Sequence, residues 1–220
     1  MPLSAQLINV FAALMLLVAF AMLAQRRVRS LIDLFAWQGA LLAANCAVVA
    51  WSTGLSHLYV SAGITLVLKV IVLPYILFRL ITRLNIKSDV ETLIKIPTTM
   101  LIGIMLVVFA FNLAIPISHL AGTITRGTLG IAIAVVLLSF LMMITRRKAV
   151  PQVIGFLAME NGLFFAATSA TYGMPMVVEL GILLDVLVGV LILGIFFFQV
   201  REAFDSLDLK HMEKLKDSDG

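Results

Sequence analysis

The sequence predicts an all-α, polytopic membrane helix bundle of about seven transmembrane helices, and three observations carry that prediction. Hydrophobic residues make up 62% of the 220 positions and charged residues only 13%, with a mean hydropathy of +1.11. Apolar runs of about 20 residues, enough to cross roughly 30 Å of hydrocarbon as a helix, recur along nearly the whole chain. Lys and Arg collect in alternate loops. This composition excludes a soluble domain with a large core and leaves no length for a separate soluble catalytic domain. The net charge of +4 is too small and too scattered for a nucleic-acid partner. A single cysteine, Cys46, excludes an intrachain disulfide and any cysteine-cluster iron–sulfur or zinc site.

The spans are expected at about 3–25, 31–51, 58–80, 97–117, 128–145, 149–172 and 175–200. The first lacks a basic stretch before it and is followed by Arg26, Arg27 and Arg29, so it reads as a true span and not as a cleaved signal peptide. The second opens near Asp33, a candidate dipole partner or cap, and holds Gln38 and Asn45 before ending at Trp51. The third carries Lys69 and Pro74, and the fourth Asn112 and Pro116. Each proline either kinks its helix or frees a carbonyl to line a polar path. The fifth runs into Arg146, Arg147 and Lys148. The sixth contains Glu160 and Asn161, the seventh Glu179 and Asp185. After residue 200 a tail places Phe204, Leu207, Leu209, Met212 and Leu215 among charges, either as a loosely amphipathic docking segment or as a solvated end. Three parts are expected: residues 1–145 as a five-helix membrane part, 146–200 as a C-terminal helical hairpin, and 201–220 as the cytoplasmic tail.

One set of loops holds Arg26, Arg27, Arg29, Arg79, Arg83, Lys87, Lys95, Arg146, Arg147 and Lys148, whereas the opposite loops hold only Arg126. The positive-inside bias then sets the N-terminus outside and the C-terminus in the cytoplasm, which requires an odd number of spans. Trp51, Tyr59 and Tyr172 fall at outer ends, as an interfacial aromatic belt requires. The stretch RRVRSLIDLFAWQGALLAA opens spans two and three much as RRKAVPQVIGFLAMENGLFFAA opens spans six and seven, with Gln38 opposite Glu160. Because both basic loops lie on one side, such a repeat is parallel, unlike the inverted repeats of many transporters.

The chemistry is concentrated in charges at depth. An ionised carboxylate near a bilayer centre costs roughly 2.5–3.5 kcal/mol on insertion scales and by default marks an ion or proton pathway. Counting about 1.5 Å per residue puts Glu160 and Lys69 near the bilayer middle, Asp185 slightly further out, and Glu179 near the outer interface. Lys69 is expected to face either Glu160 or Asp185. The plain alternative for each carboxylate is recognition between subunits, and for Gln38, Asn45, Asn112 and Asn161 ordinary helix–helix hydrogen bonding. The eleven methionines read as packing filler, and His57, His119 and His211 are too far apart to suggest a metal site. No phosphate loop, nucleophile–base set or haem-like histidine pair is present, so the chain by itself is expected to catalyse no covalent chemistry.

The run Ile154-Gly155-Phe156-Leu157-Ala158-Met159-Glu160-Asn161-Gly162, with Val178-Glu179-Leu180-Gly181-Ile182 and Asp185 after it, resembles the hydrogenase-4 component E family. Lys69 followed by Pro74, and Leu207-Asp208 in the tail, extend the likeness over nearly the whole chain. The C-terminal three spans are also similar to the K subunit of respiratory complex I and the C subunit of multisubunit Na⁺/H⁺ antiporters. In that K subunit a glutamate in each of two adjacent helices serves the proton path. Asp185 matches the second, whereas the first falls on Leu157, and the acid here stands three residues on at Glu160, about 4.5 Å along a helix. The resemblance implies a non-catalytic subunit of a formate-hydrogenlyase-like, group 4 nickel–iron hydrogenase complex in a prokaryotic cytoplasmic membrane. Its proton-transfer residues would be Glu160, Asp185, Lys69 and Glu179. It would hold no cofactor itself; the nickel–iron centre and iron–sulfur clusters would belong to partners, namely a cytoplasmic hydrogenase module, a membrane anchor subunit and antiporter-like membrane subunits. A cation/proton antiporter subunit and a purely structural assembly subunit are the alternatives.

Overall fold

In hydrocarbon every backbone N–H and C=O has to be paired within its own segment, and these apolar runs fold as helices. The computed structural model describes residues 3–83, 90–121 and 126–171, together with Leu187 and Gly189. In chain order the elements are α1 (Leu3–Ala24), α2 (Val28–Thr53), α3 (Ser56–Leu66), a π-helical segment (Val67–Val72), α4 (Leu73–Arg83), α5 (Ile96–Ala121), α6 (Arg126–Thr145) and α7 (Ala149–Thr171). The middle three elements make one span, Leu58–Thr82, so six helices among the described residues are long and apolar enough to cross a membrane. The expected seventh span, 175–200, lies outside the described residues except for Leu187 and Gly189. Both are helical, and a Cβ on Gly189 would sit 3.8 Å from Leu73 Cδ2.

The helices α1, α2, α7 and α6 form a ring in which each packs on the next. Outside it, α5 lies against α6 and α1, and the third span lies against α2. Within a membrane, lipid is as apolar as leucine, so close packing rather than hydrophobic exclusion holds helices together, and small residues mark the close approaches. Gly155 and Gly162, seven residues apart on α7, meet Met143 and Val136 of α6, where added Cβ atoms would come within 2.8 and 3.0 Å. Gly103 lets α5 down onto Leu138 of α6 and Leu23 of α1, and Gly130 of α6 receives the ring of Phe111. At the end of α2, Gly54 adopts φ +71° and returns its N–H to Ala50 O, a left-handed cap that turns the chain into α3 without a long loop.

The basic loops gather at the other end. Val90 N donates to Arg26 O, Leu93 N to Thr145 O and Arg147 N to Glu91 O, and Lys148 Nζ lies 3.1 Å from Glu91 Oε1. Arg146 lies in the loop between α6 and α7, as read from the sequence, and is only 1% exposed. Its Nη2 donates to Met22 O and Leu23 O, the last carbonyls of α1, where the helix dipole favours a cation. Burial lowers its pKa below the ordinary arginine value. Asp33 departs from expectation: α2 begins five residues earlier with Arg27 as its N-cap, so Asp33 is exposed in the second turn and caps nothing. An open cavity of about 550 Å³ at this end is lined by Arg26, Thr92, Lys95 and the first residues of α5.

If close contact at glycine holds α6 to α7, Gly162→Leu should lower the stability of the detergent-solubilised protein by about 1–3 kcal/mol. Gly63→Ala, whose Cβ would meet nothing within 4 Å, should not lower the thermal midpoint.

Candidate functional site

The site is assembled where the third span crosses α2 and α7. Pro74 has no N–H to continue an α-helix, and the turn before it opens into π geometry, with Leu73 N–H bonded to Leu68 O five residues back. Lys69 lies inside that turn. It presses so closely on α2 that a Cβ at Gly39 would stand 2.8 Å from Lys69 Cβ. A glycine is required there, since any side chain would push the lysine backbone away. The side chain of Lys69 is 1% exposed and is directed into the bundle.

There its ammonium donates to Glu160 Oε1 at 2.9 Å and to Asn161 Oδ1 at 2.7 Å, both on α7. It also lies 5.8 Å from the ring centroid of Phe164, one turn further on, within cation–π range. Asn161 is thereby oriented: with its oxygen on the ammonium, its Nδ2 donates to Gln38 Oε1 of α2 at 3.1 Å. Three helices thus contribute to one buried chain of polar contacts, Gln38–Asn161–Lys69–Glu160, in which Glu160 is only 5% exposed. Among the described residues the cluster holds one basic and one acidic side chain. Such a pair adds little net stability over apolar packing, but removing one member strands the other, at a cost of about 3–5 kcal/mol.

The polar character continues past the ion pair. Ser61 and Thr65 stand on the stripe of the third span that carries Lys69, and Asn45 on the stripe of α2 that carries Gln38; all three are buried. Among the described residues, Gln38 Nε2, both amide atoms of Asn45 and Ser61 Oγ have no hydrogen-bond partner. Buried polar atoms of this kind are normally satisfied by ordered water.

Chemically, the 2.9 Å contact is a proton-transfer distance. Moving one proton from Nζ to Oε1 converts the ion pair into an amine and a carboxylic acid without changing the net charge. The amides of Asn161 and Gln38 fix the geometry but are poor carriers, so exchange with the rest of the membrane needs water or another acid. Among the described residues no group of three His, Cys, Asp or Glu side chains converges on a metal-binding position.

Of the four residues selected from the sequence, the described residues bring Lys69 and Glu160 together. Asp185 and Glu179 lie outside the described residues. Asn161 and Gln38, read as ordinary helix–helix polar groups, are members of the cluster. The signal that marks them is adjacency: Asn161 follows Glu160 directly, and Gln38 occupies the place opposite Glu160 when the two hairpins are aligned.

The chain is 34% identical over 213 residues to the uncharacterized protein Rv0085 of Mycobacterium tuberculosis, covering 94% of this chain and 95% of that one. It is 20% identical over 210 residues to hydrogenase-4 component E of Escherichia coli K12 and of Shigella flexneri, covering 96% of this chain and 97% of each relative. No protein-family model and no solved structure matches it.

Lys69→Met should cost about 3–5 kcal/mol of stability, because it leaves a carboxylate buried opposite a thioether. In infrared spectra the same substitution should move the Glu160 carboxyl band, identified by its loss in Glu160→Gln.

Proposed function

The chain belongs to the family of the uncharacterized protein Rv0085, and from that premise and its distant relation to hydrogenase-4 component E we propose that it is a membrane subunit of a hydrogenase-like complex. By itself it is non-catalytic. Its part is to hold and pass protons within the membrane while redox chemistry takes place in partner subunits. The observation that carries this reading is the Lys69–Glu160 pair: two ionisable groups 2.9 Å apart, buried where the third span meets α2 and α7. A structural ion pair would serve assembly without the polar residues that extend from it through Asn45, Thr65 and Ser61. A relay needs them.

In this mechanism Glu160 holds a proton when Lys69 is neutral and gives it back when Lys69 is recharged. Asn161 and Gln38 keep the two groups in register throughout, and Phe164 stabilises the charged lysine through its ring face. Asp185 is the next proton-carrying group and Glu179 an entry point or a contact with a neighbouring subunit. The nickel–iron centre and iron–sulfur clusters reside in a cytoplasmic hydrogenase module. A membrane anchor subunit and antiporter-like subunits complete the complex. The basic end, with Arg26, Lys95 and Arg147, is cytoplasmic by the positive-inside bias of Lys and Arg. The broad apolar face of α5, exposed at Leu101, Ile104, Met105, Val108 and Phe109, meets lipid or those membrane partners.

Two measurements test this. A mild-detergent pull-down should bring nickel- and iron-containing subunits with the chain. Measured per assembled complex, Glu160→Gln and Asp185→Asn should each reduce proton translocation at least tenfold. Unchanged translocation would reduce the carboxylates to a structural role. Sodium-dependent collapse of a pH gradient in vesicles lacking any hydrogenase would instead favour a cation/proton antiporter subunit.

A further inference from the structure

The buried stripes around Lys69 differ in chemistry above and below it. On the third span, helix periodicity places Ser61 and Thr65 on one side of Lys69 and Leu73, Leu77 and Leu80 on the other, all buried. On α2 the stripe through Gln38 runs to Leu31 and Phe35 toward the basic loops and to Asn45 away from them. On α7, Val150, Ile154 and Leu157 precede Glu160, whereas Thr168 follows it two turns on. On these three helices the described buried residues show the same polarity, apolar toward the basic loops and with hydroxyls and amides toward the Gly54 turn, whereas the buried hydroxyls Thr99, Ser139 and Thr145 near the basic loops stand on α5 and α6.

We infer that the Lys69–Glu160 pair has one-sided access to water, through a hydrated column lined by Thr65, Asn45 and Ser61 that opens at the α2–α3 turn. The column's occupants are water molecules and the protons they carry. This deepens the proton-transfer reading proposed above and rests on it for the column's use, though not for its existence. The dimensions fit: Lys69 to Ser61 is eight residues, roughly 12 Å of helix, close to half the thickness of a hydrocarbon core. The lining is suited to water, since Asn45 offers a donor and an acceptor, and Ser61 and Gln38 further polar atoms, none bonded to the described protein. Each such atom, left unsatisfied, carries a desolvation penalty that a water with two to four polar partners removes. Leu42 interrupts the stripe of α2 between Gln38 and Asn45, so the third span supplies the unbroken side of the lining. Proton passage along it conserves atoms: each water accepts one proton from the neighbour nearer the mouth and releases one toward the pair, so one proton entering delivers one proton to the lysine–glutamate unit. On the opposite side the described residues, over about 16 Å of helix from Lys69 to Leu80, offer no such chain.

The inference assigns a direction, which cysteine accessibility can read. In a Cys46→Ala background, Ser61→Cys, Thr65→Cys, Leu73→Cys and Leu77→Cys would be treated in sealed vesicles of both orientations with a membrane-impermeant cationic thiosulfonate. Ser56→Cys and Thr98→Cys report on the two ends of the bundle. Ser61→Cys and Thr65→Cys should react from the side that labels Ser56→Cys, at least tenfold faster than Leu73→Cys or Leu77→Cys react from either side. Asn45→Leu should slow labelling of Thr65→Cys at least fivefold, and thermal midpoints close to the parent's would confirm that the variants are folded. Comparable labelling of Leu77→Cys from the Thr98 side, or no labelling of Ser61→Cys and Thr65→Cys where Ser56→Cys reacts, would overturn the inference. If labelling follows the expected pattern while Glu160→Gln leaves translocation intact, the column stands and the role of the pair in translocation falls.

Discussion

Everything distinctive about this bundle follows from burying one lysine beside one glutamate at the centre of a membrane. Neither charge is tolerated there alone, and the surrounding structure is arranged so that neither is alone. The third span gives up regular α geometry at Val67–Val72, α2 gives up a side chain at Gly39, and α7 places Glu160 and Asn161 side by side on the facing turn. Asn161 then links the pair to Gln38, so three helices are tied at one level by directional contacts. The rest of the packing, through Gly103, Gly130, Gly155 and Gly162, is apolar and sets distance; the polar cluster sets register.

That division has a functional consequence. A pair whose net charge is zero is stable at rest, but each member can change protonation only if the other follows or if a proton comes from elsewhere. The site is therefore coupled by construction. Its coupling to the outside is decided by what fills the helix stripes on either side. Hydroxyl and amide groups at Ser61, Thr65 and Asn45 permit water, and leucines at 73, 77 and 80 with Leu31, Phe35, Ile154 and Leu157 exclude it. Asymmetry of this kind is what the proposed proton-handling role needs, because symmetric access would let protons leak across.

Much of the architecture was legible in the sequence. The expected spans at 31–51, 97–117, 128–145 and 149–172 agree with α2, α5, α6 and α7 to within a few residues, because about 20 apolar residues bounded by Arg and Lys have few other outcomes in a bilayer. Lys69 and Glu160 stood out for the same reason: a charge in an apolar run is visible without a structure. The π turn was not legible, since a shift from i→i+4 to i→i+5 bonding leaves no compositional trace beyond Pro74. Arg146 was placed in its loop from the sequence, but only tertiary contact shows that it closes the end of α1. Gln38 and Asn161 were seen as polar groups but not as members of one network, because a spacing of 123 residues in sequence carries no distance.

The central claim is that Lys69 and Glu160 act as one energetic unit, and a double-mutant cycle tests it most directly. Stabilities of the parent, Lys69→Met, Glu160→Gln and the combined variant would be measured in the same detergent or lipid nanodisc. A direct buried pair predicts a coupling energy of about 2–3 kcal/mol, with the combined variant more stable than Lys69→Met alone. Additive single effects, with coupling within about 0.5 kcal/mol of zero, would contradict it.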